Sequence, residues 1–317
     1  MKIATFAVAA LLGVSALQAP ASAQDFPTRA ITIVVPFGPA TAIDIIARQI
    51  AQHMTATLGQ SVIVDNRPGA TGNIATDYVA KAKPDGYTLY ITSTSVVINQ
   101  LVGAPASNLQ KDFEPVAITG TLPYALMVPT PLPTRTLQEL VALAKAKPGQ
   151  LNYAGYIGGV PQYLGEMLNR AANINTVMVP YKSTTDAQND FLAGSTQLVY
   201  TPVPSSLPLH NSKQGRVLAT TGSKRATILP DVPTMAEAGY ADLTVEVAYF
   251  YLAPAGTPKP IIDKLAGAIL KGLHDPKVWA ALGAQGVEMK EGGPEETRTY
   301  LADELKKWDA IVKQSTR

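Results

Sequence analysis

The sequence predicts an α/β protein folded as two lobes, each a mainly parallel sheet flanked by helices, with a cleft between them. Three observations predict it. Strand-like apolar runs alternate with segments of helical period, the alternation stops and then restarts, and the last third carries two helical stripes. In the first unit, residues 31–35 are β-branched and end at Pro36. Ile43, Ile46, Ala47, Ile50, Met54 and Leu58 then recur at three- and four-residue spacing, which places them on one helical face. Residues 62–64 form the next strand, closed by Arg67-Pro68-Gly69. A helix through Ile74, Tyr78, Val79 and Ala82 stops at Pro84-Asp85-Gly86, and residues 87–92 are again strand. Parallel neighbours need crossover connections, and this order of elements supplies them.

The second unit opens at Thr136-Leu137-Gln138-Glu139, a capping box leading into a helix with Leu137, Leu140, Val141 and Ala144 on its apolar face. Strands are expected at 151–154, 177–179, 197–200 and 217–220, with helices near 162–171 and 186–192. Thr234-Met235-Ala236-Glu237 reads as a second capping box, with Gly239 as the C-terminal cap of its helix. Two stripes follow: Ile261, Ile262, Leu265, Ile269 and Leu273, then Leu301, Leu305, Trp308 and Val312. The expected division is residues 24–124 with 248–317 in the first lobe and 125–247 in the second. The chain then crosses between lobes near 121–128 and 247–253.

Residues 1–23 read as an export leader. Lys2 precedes an apolar run at 3–17, and Ala21-Ser22-Ala23 offers the small residues that a signal peptidase reads, so cleavage is expected after Ala23. The run is too short for a comfortable bilayer span. Export permits disulfides, but the chain has no cysteine, so an apolar core must hold it together. With 26 basic against 24 acidic side chains and no run of either sign, nucleic acid and membrane surfaces are poor partners. The sequence has no G-x-S-x-G elbow, no P-loop and no Gly-rich dinucleotide fingerprint, and His53, His210 and His274 lie far apart. These absences argue against an enzyme.

Two strand-to-helix loops suit an anion instead. Phe37, Gly38, Ala40, Thr41 and Ala42 follow the first strand and lead into a helix with Asp44 in its first turn. Tyr156, Ile157, Gly158 and Gly159 do the same in the second unit. A helix start carries unpaired N–H groups and a partial positive charge, so a carboxylate docks there without an arginine. In open α/β sheets such ligands lie beyond the carboxyl ends of the strands. Ser93, Thr94 and Thr184 add hydroxyls at comparable positions.

The chain from about Phe26 onward resembles the tripartite tricarboxylate transporter receptors, also called Bug solute-binding proteins. The motifs that carry the resemblance are Val35-Pro36-Phe37 with Asp44, Val64-Asp65-Asn66-Arg67-Pro68-Gly69-Ala70 and Lys83-Pro84-Asp85-Gly86-Tyr87-Thr88-Leu89. Further on come Val179-Pro180-Tyr181-Lys182, Leu229-Pro230-Asp231-Val232-Pro233-Thr234-Met235 and Ala253-Pro254-Ala255-Gly256-Thr257-Pro258. The resemblance implies the two-lobed periplasmic-binding-protein fold and a periplasmic, cofactor-free monomer. It further implies a receptor that closes on a small carboxylate and delivers it to membrane subunits of a tripartite tricarboxylate transporter. Presentation to a sensor partner is one alternative, and an extracytoplasmic hydrolase a second, more distant one.

The sequence departs from the family at the expected pocket. Ala40-Thr41 stand where adjacent glycines are usual, and Ile43 replaces a hydroxyl residue. In the second loop Val160 replaces a serine, and Tyr163 stands at a common histidine position. Thr201 stands where aspartate is frequent and Tyr249 near a frequent tryptophan. Backbone donors survive these changes, but hydroxyl partners do not. A buried ligand hydroxyl or ammonium left unpaired costs about 1–3 kcal/mol, so the sequence points to a ligand with a less polar body, walled by Tyr156, Tyr163 and Tyr249.

Overall fold

The computed structural model describes residues 26–103, 106–181 and 184–315; the expected leader and its cleavage after Ala23 lie outside them. Strands β1 (Ile31–Val35), β2 (Val62–Asn66) and β3 (Thr88–Ser93) pair in parallel, connected by helices α1 (Ala42–Leu58) and α2 (Asn73–Ala80). Helix α3 (Thr94–Val102) follows β3 directly, and then comes β4 (Phe113–Pro129). The second unit runs α4 (Leu137–Ala146), β5 (Leu151–Gly155), α5 (Val160–Ala172), β6 (Thr176–Pro180), α6 (Thr184–Leu192), β7 (Leu198–Pro202), α7 (Val203–Asn211) and β8 (Gly215–Thr220). After β9 (Glu246–Pro254) come α8 (Lys259–Leu273), α9 (Pro276–Ala284), β10 (Glu288–Gly292) and α10 (Pro294–Ser315).

The sheet order is β2-β1-β3-β9-β4-β7-β5-β6, with β8 and β10 also paired to β4. Its centre is the antiparallel pair β9-β4. β4 pairs with β9 from Phe113↔Pro254 to Pro123↔Glu246, then changes partners and meets β7 from Tyr124↔Pro202. Parallel triplets lie on either side, β2-β1-β3 and β7-β5-β6.

Local expectations needed correction, and several elements were missed. The Thr234 capping box forms: Glu237 N–H donates to Thr234 Oγ1 (3.0 Å) and Thr234 N–H to Glu237 Oε2 (2.8 Å). No α-helix follows, because Gly239 (φ +94°) and the Tyr240 N–H to Met235 carbonyl bond close the chain after one turn. α2 forms where a helix was expected, but of the residues that marked it Ile74 and Tyr78 are exposed, and Val79 is buried beside Ala75 and Thr76. The Thr76 hydroxyl is satisfied by Gly72 O and Tyr90 Oη, and Arg67 covers the Tyr78 ring at 3.6 Å. α3 was missed because Val96, Val97 and Ile98 are all buried, so it has no polar stripe to reveal its period. β10 was also missed, its Glu-Met-Lys-Glu-Gly sequence being too polar to read as strand.

The C-terminal stripe packs as expected, with Leu301, Leu305 and Trp308 buried, and it carries one buried charge. Glu304 Oε2 accepts from Trp308 Nε1 (3.0 Å) and from Thr94 Oγ1 (3.2 Å), and Oε1 meets Lys307 Nζ at 3.4 Å. Thr94 Oγ1 in turn accepts from Ala248 N–H (3.0 Å). One carboxylate therefore ties α10 to the start of α3 and to β9, while the Trp308 ring packs edge-on against Tyr163 of α5 at 5.8 Å. Removing it strands a buried indole N–H, so Glu304→Ala is expected to cost about 2–4 kcal/mol. The check is the urea midpoint with the slope unchanged.

Candidate functional site

A cleft of about 500 Å³ opens at the carboxyl ends of β1, β3 and β7. Three helices begin on it. Ala40, Thr41, Ala42 and Ile43 come from the start of α1, Ser93 and Ser95 from α3, and Pro202, Pro204 and Ser205 from α7. In none of the three does a side chain cap the helix start. Away from the cleft the starts are mixed: Thr136 caps α4 through Glu139 N–H (3.2 Å) and Asp275 caps α9 through Lys277 N–H (2.8 Å), while α2, α5 and α8 also begin without a side-chain cap. First-turn N–H groups without a cap keep their donors and partial positive charge for a ligand. No Asp, Glu, Lys, Arg or His lines the cleft among the described residues. Phe37, Leu122, Tyr124, Val247 and Tyr249 supply an apolar wall. Burial pushes the Tyr124 and Tyr249 phenols upward, so both remain neutral hydroxyls.

The first loop is shaped by Asp44, which is 2% exposed. Its Oδ2 accepts from Ala40 N–H (2.9 Å) and Arg48 Nε (2.9 Å), and its Oδ1 from Asn66 Nδ2 (2.9 Å), with Arg48 NH2 also 2.9 Å away. Asn66 Nδ2 also donates to Phe37 O at 3.0 Å. Ala40 adopts φ +63°, a left-handed conformation that favours glycine. The resemblance leads one to expect glycine at this point, and the conformation accounts for that expectation. Here the Asp44 bond holds an alanine in that conformation instead.

The structure thus brings Phe37, Ala40, Thr41, Ala42, Ser93 and Tyr249 to one cleft, with Gly38 in the same loop. The other expected site residues are placed differently. Asp44 spends its carboxylate on the loop and on Arg48, and Thr94 spends its hydroxyl on Glu304 and Ala248. Ile157, Gly158 and Gly159 do not line the cleft. Their loop folds on itself: Gly158 N–H donates to Gln162 Oε1 (2.9 Å), Gly159 N–H to Tyr156 O (2.9 Å), and Ile157 is 83% exposed. Thr201 is buried on β7, its hydroxyl without a hydrogen-bond partner among the described residues. Thr184 begins α6, and its side chain lies outside the described positions. Tyr163 fills the core against Trp308 and does not reach the cleft.

Sequence reasoning missed Ser95, Leu122, Tyr124, Pro202, Pro204, Ser205, Val247 and Gln285. The start of α7 was within reach, because Pro202-Val203-Pro204 follows a strand and proline is favoured in a first helical turn. Gln285, in the turn after α9, carries no local signal.

A cleft between two parallel units, joined by shared antiparallel strands and lined by helix starts, defines a solute-binding protein of the periplasmic type. The chain belongs to the family described as tripartite tricarboxylate transporter family receptor, whose sequence pattern matches residues 46–316. It resembles the periplasmic binding protein BugD (31% identity, TM-score 0.78, covering 92% of this chain and 99% of that one). It is also similar to Rpa4515 of Rhodopseudomonas palustris, solved with adipate (32% identity, TM-score 0.81, 91% and 98% covered). A third similar structure is MatC of the same organism with bound malate (30% identity, TM-score 0.75, 90% and 100% covered).

Asp44 offers a test of the loop. Burial pushes its carboxyl upward, but hydrogen bonds from Arg48, Asn66 and Ala40 N–H, with the Arg48 charge, outweigh this and hold it below the usual range. A depressed folded pKa stabilises the fold above the unfolded value of about 3.9 and loses that contribution as pH falls through the folded value. Asp44→Ala is expected to cost about 2–4 kcal/mol at pH 7. The difference from wild type should shrink below about pH 4, as read by urea unfolding across pH.

Proposed function

We propose that this receptor captures a small carboxylate with an aliphatic or aromatic body and delivers it, as a monomer, to membrane subunits of a tripartite tricarboxylate transporter. The observation that carries the reading is the convergence of three uncapped helix starts on a cleft without charged side chains. Neutral donors hold an anion there without an opposing charge, and the apolar wall favours a body poor in hydroxyls. Adipate and malate in the similar structures support a carboxylate as the ligand class.

Residues 24–124 with 248–317 form one lobe of this reading and 125–247 the other. The exchange of β4 partners at Pro123–Tyr124 supports that division. Closure draws its free energy from contacts that the ligand makes to both lobes, here through α1 and α3 on one side and α7 on the other. Binding is stoichiometric and reversible, without turnover.

A thermal-shift screen of the mature chain against citrate, C4 to C8 dicarboxylates, aromatic carboxylates and amino acids tests the proposal. A ligand at a hundredfold excess over Kd stabilises by about 2.7 kcal/mol. Hits among aliphatic or aromatic acids support it. Preference for citrate or an amino acid refutes the apolar body, and no shift with any acid refutes the carboxylate.

Ala42→Asp separates binding from folding. A carboxylate in the first turn of α1 favours the helix yet repels a bound anion. The expected result is an unchanged or slightly raised Tm without ligand and roughly a hundredfold weaker binding, measured by calorimetric titration.

A further inference from the structure

We infer that Gln285 reads a second oxygen-bearing end of the ligand, so that the receptor favours dicarboxylates over monocarboxylates of the same chain length; this rests on the carboxylate reading above. Among the described residues, Gln285 is the one cleft-lining side chain that comes from the chain after β9. It is half-buried, and its side-chain amide makes no hydrogen bond to another described residue.

The turn that carries it is fixed from both sides. At Gly286, φ is +65°, and a Cβ there would lie 2.8 Å from Ile228 Cδ1 and 3.1 Å from Pro204 Cδ, so the turn presses against the start of α7. Two residues further on, Glu288 Oε1 accepts from Thr227 N–H (3.1 Å) and Thr227 Oγ1 (2.9 Å), and its Oε2 meets Lys224 Nζ at 3.1 Å. These contacts anchor the α9–β10 turn to residues 224–228. A side chain whose backbone is held this way presents its amide at low entropic cost.

The position also answers a local shortage. Pro202 and Pro204 carry no N–H, so the first turn of α7 has fewer donors than that of α1, where Ala42, Ile43 and Asp44 all keep theirs. Two amide N–H groups from Gln285 make up the deficit beside Ser205. An acid with one carboxylate at the α1 and α3 starts and a second oxygen group at α7 then finds donors at both ends. A monoacid leaves the Gln285 amide unpaired in a closed cleft, which costs affinity.

The test is calorimetric titration of the mature chain with succinate through suberate, each beside the monocarboxylate of equal length. Wild type should prefer the diacid of the best-fitting length by about tenfold or more. Gln285→Leu should abolish that preference while keeping monoacid affinity within about threefold. Glu288 acts as a positioning residue: E288A should reduce the preference, and E288Q should restore it because its amide oxygen still accepts from Thr227. A Q285L chain that keeps the wild-type preference overturns the inference. So does a wild type that binds monoacids as tightly as diacids, though the carboxylate reading then stands. A wild type that binds no acid removes both.

Discussion

A helix cannot satisfy the N–H groups of its own first turn, and the cleft is built around that constraint. Capped by a side chain, those groups are stabilised and silent, as in α4 and α9. Where α1, α3 and α7 begin, the donors are left to the cleft. The rest of the fold keeps them together. Parallel pairing sends β1 and β3 to the same edge, the central antiparallel strands bring β7 alongside, and the Asp44 carboxylate fixes the loop from which α1 starts. The Glu304 network then locks the first turn of α3 to β9 and α10. Remote buried charges thus serve the placement of neutral groups at the site.

The fold was largely legible because its parallel strands and outer helices obey simple periodicities. The α1 stripe and the α10 stripe lie where three- and four-residue spacing placed them, and the Thr136 capping box starts its helix. Legibility failed where burial was not one-sided. α3 is enclosed nearly all round, and α2 turns a threonine inward because Tyr90 offers it a partner. The Thr234 box shows a subtler limit, because a cap fixes where a helix can begin but not how far it runs when a left-handed glycine stands five residues on.

The site was half legible for a related reason. Residues following β1 and β3 are contiguous with their strands, so the rule that ligands sit beyond strand ends finds them. Leu122, Tyr124 and Val247 face the cleft only because β4 and β9 form the centre of the sheet, and Gln285 only because its turn is clasped by Glu288. Such juxtapositions depend on long-range pairing and leave no trace in local sequence. The hydroxyls of Thr94 and the carboxylate of Asp44 mislead in the opposite direction, since a polar residue beside a site is as readily consumed by the scaffold.

The chain has two tryptophans, and each sits where the C-terminal helices meet the second unit. Trp308 packs on Tyr163 of α5, and Trp279 lines a groove shared with Thr227 and Ile228. One lies at the contact between α10 and α5 and the other beside the Glu288 clasp. If the units close as proposed, the unlabelled emission spectrum is expected to change with them.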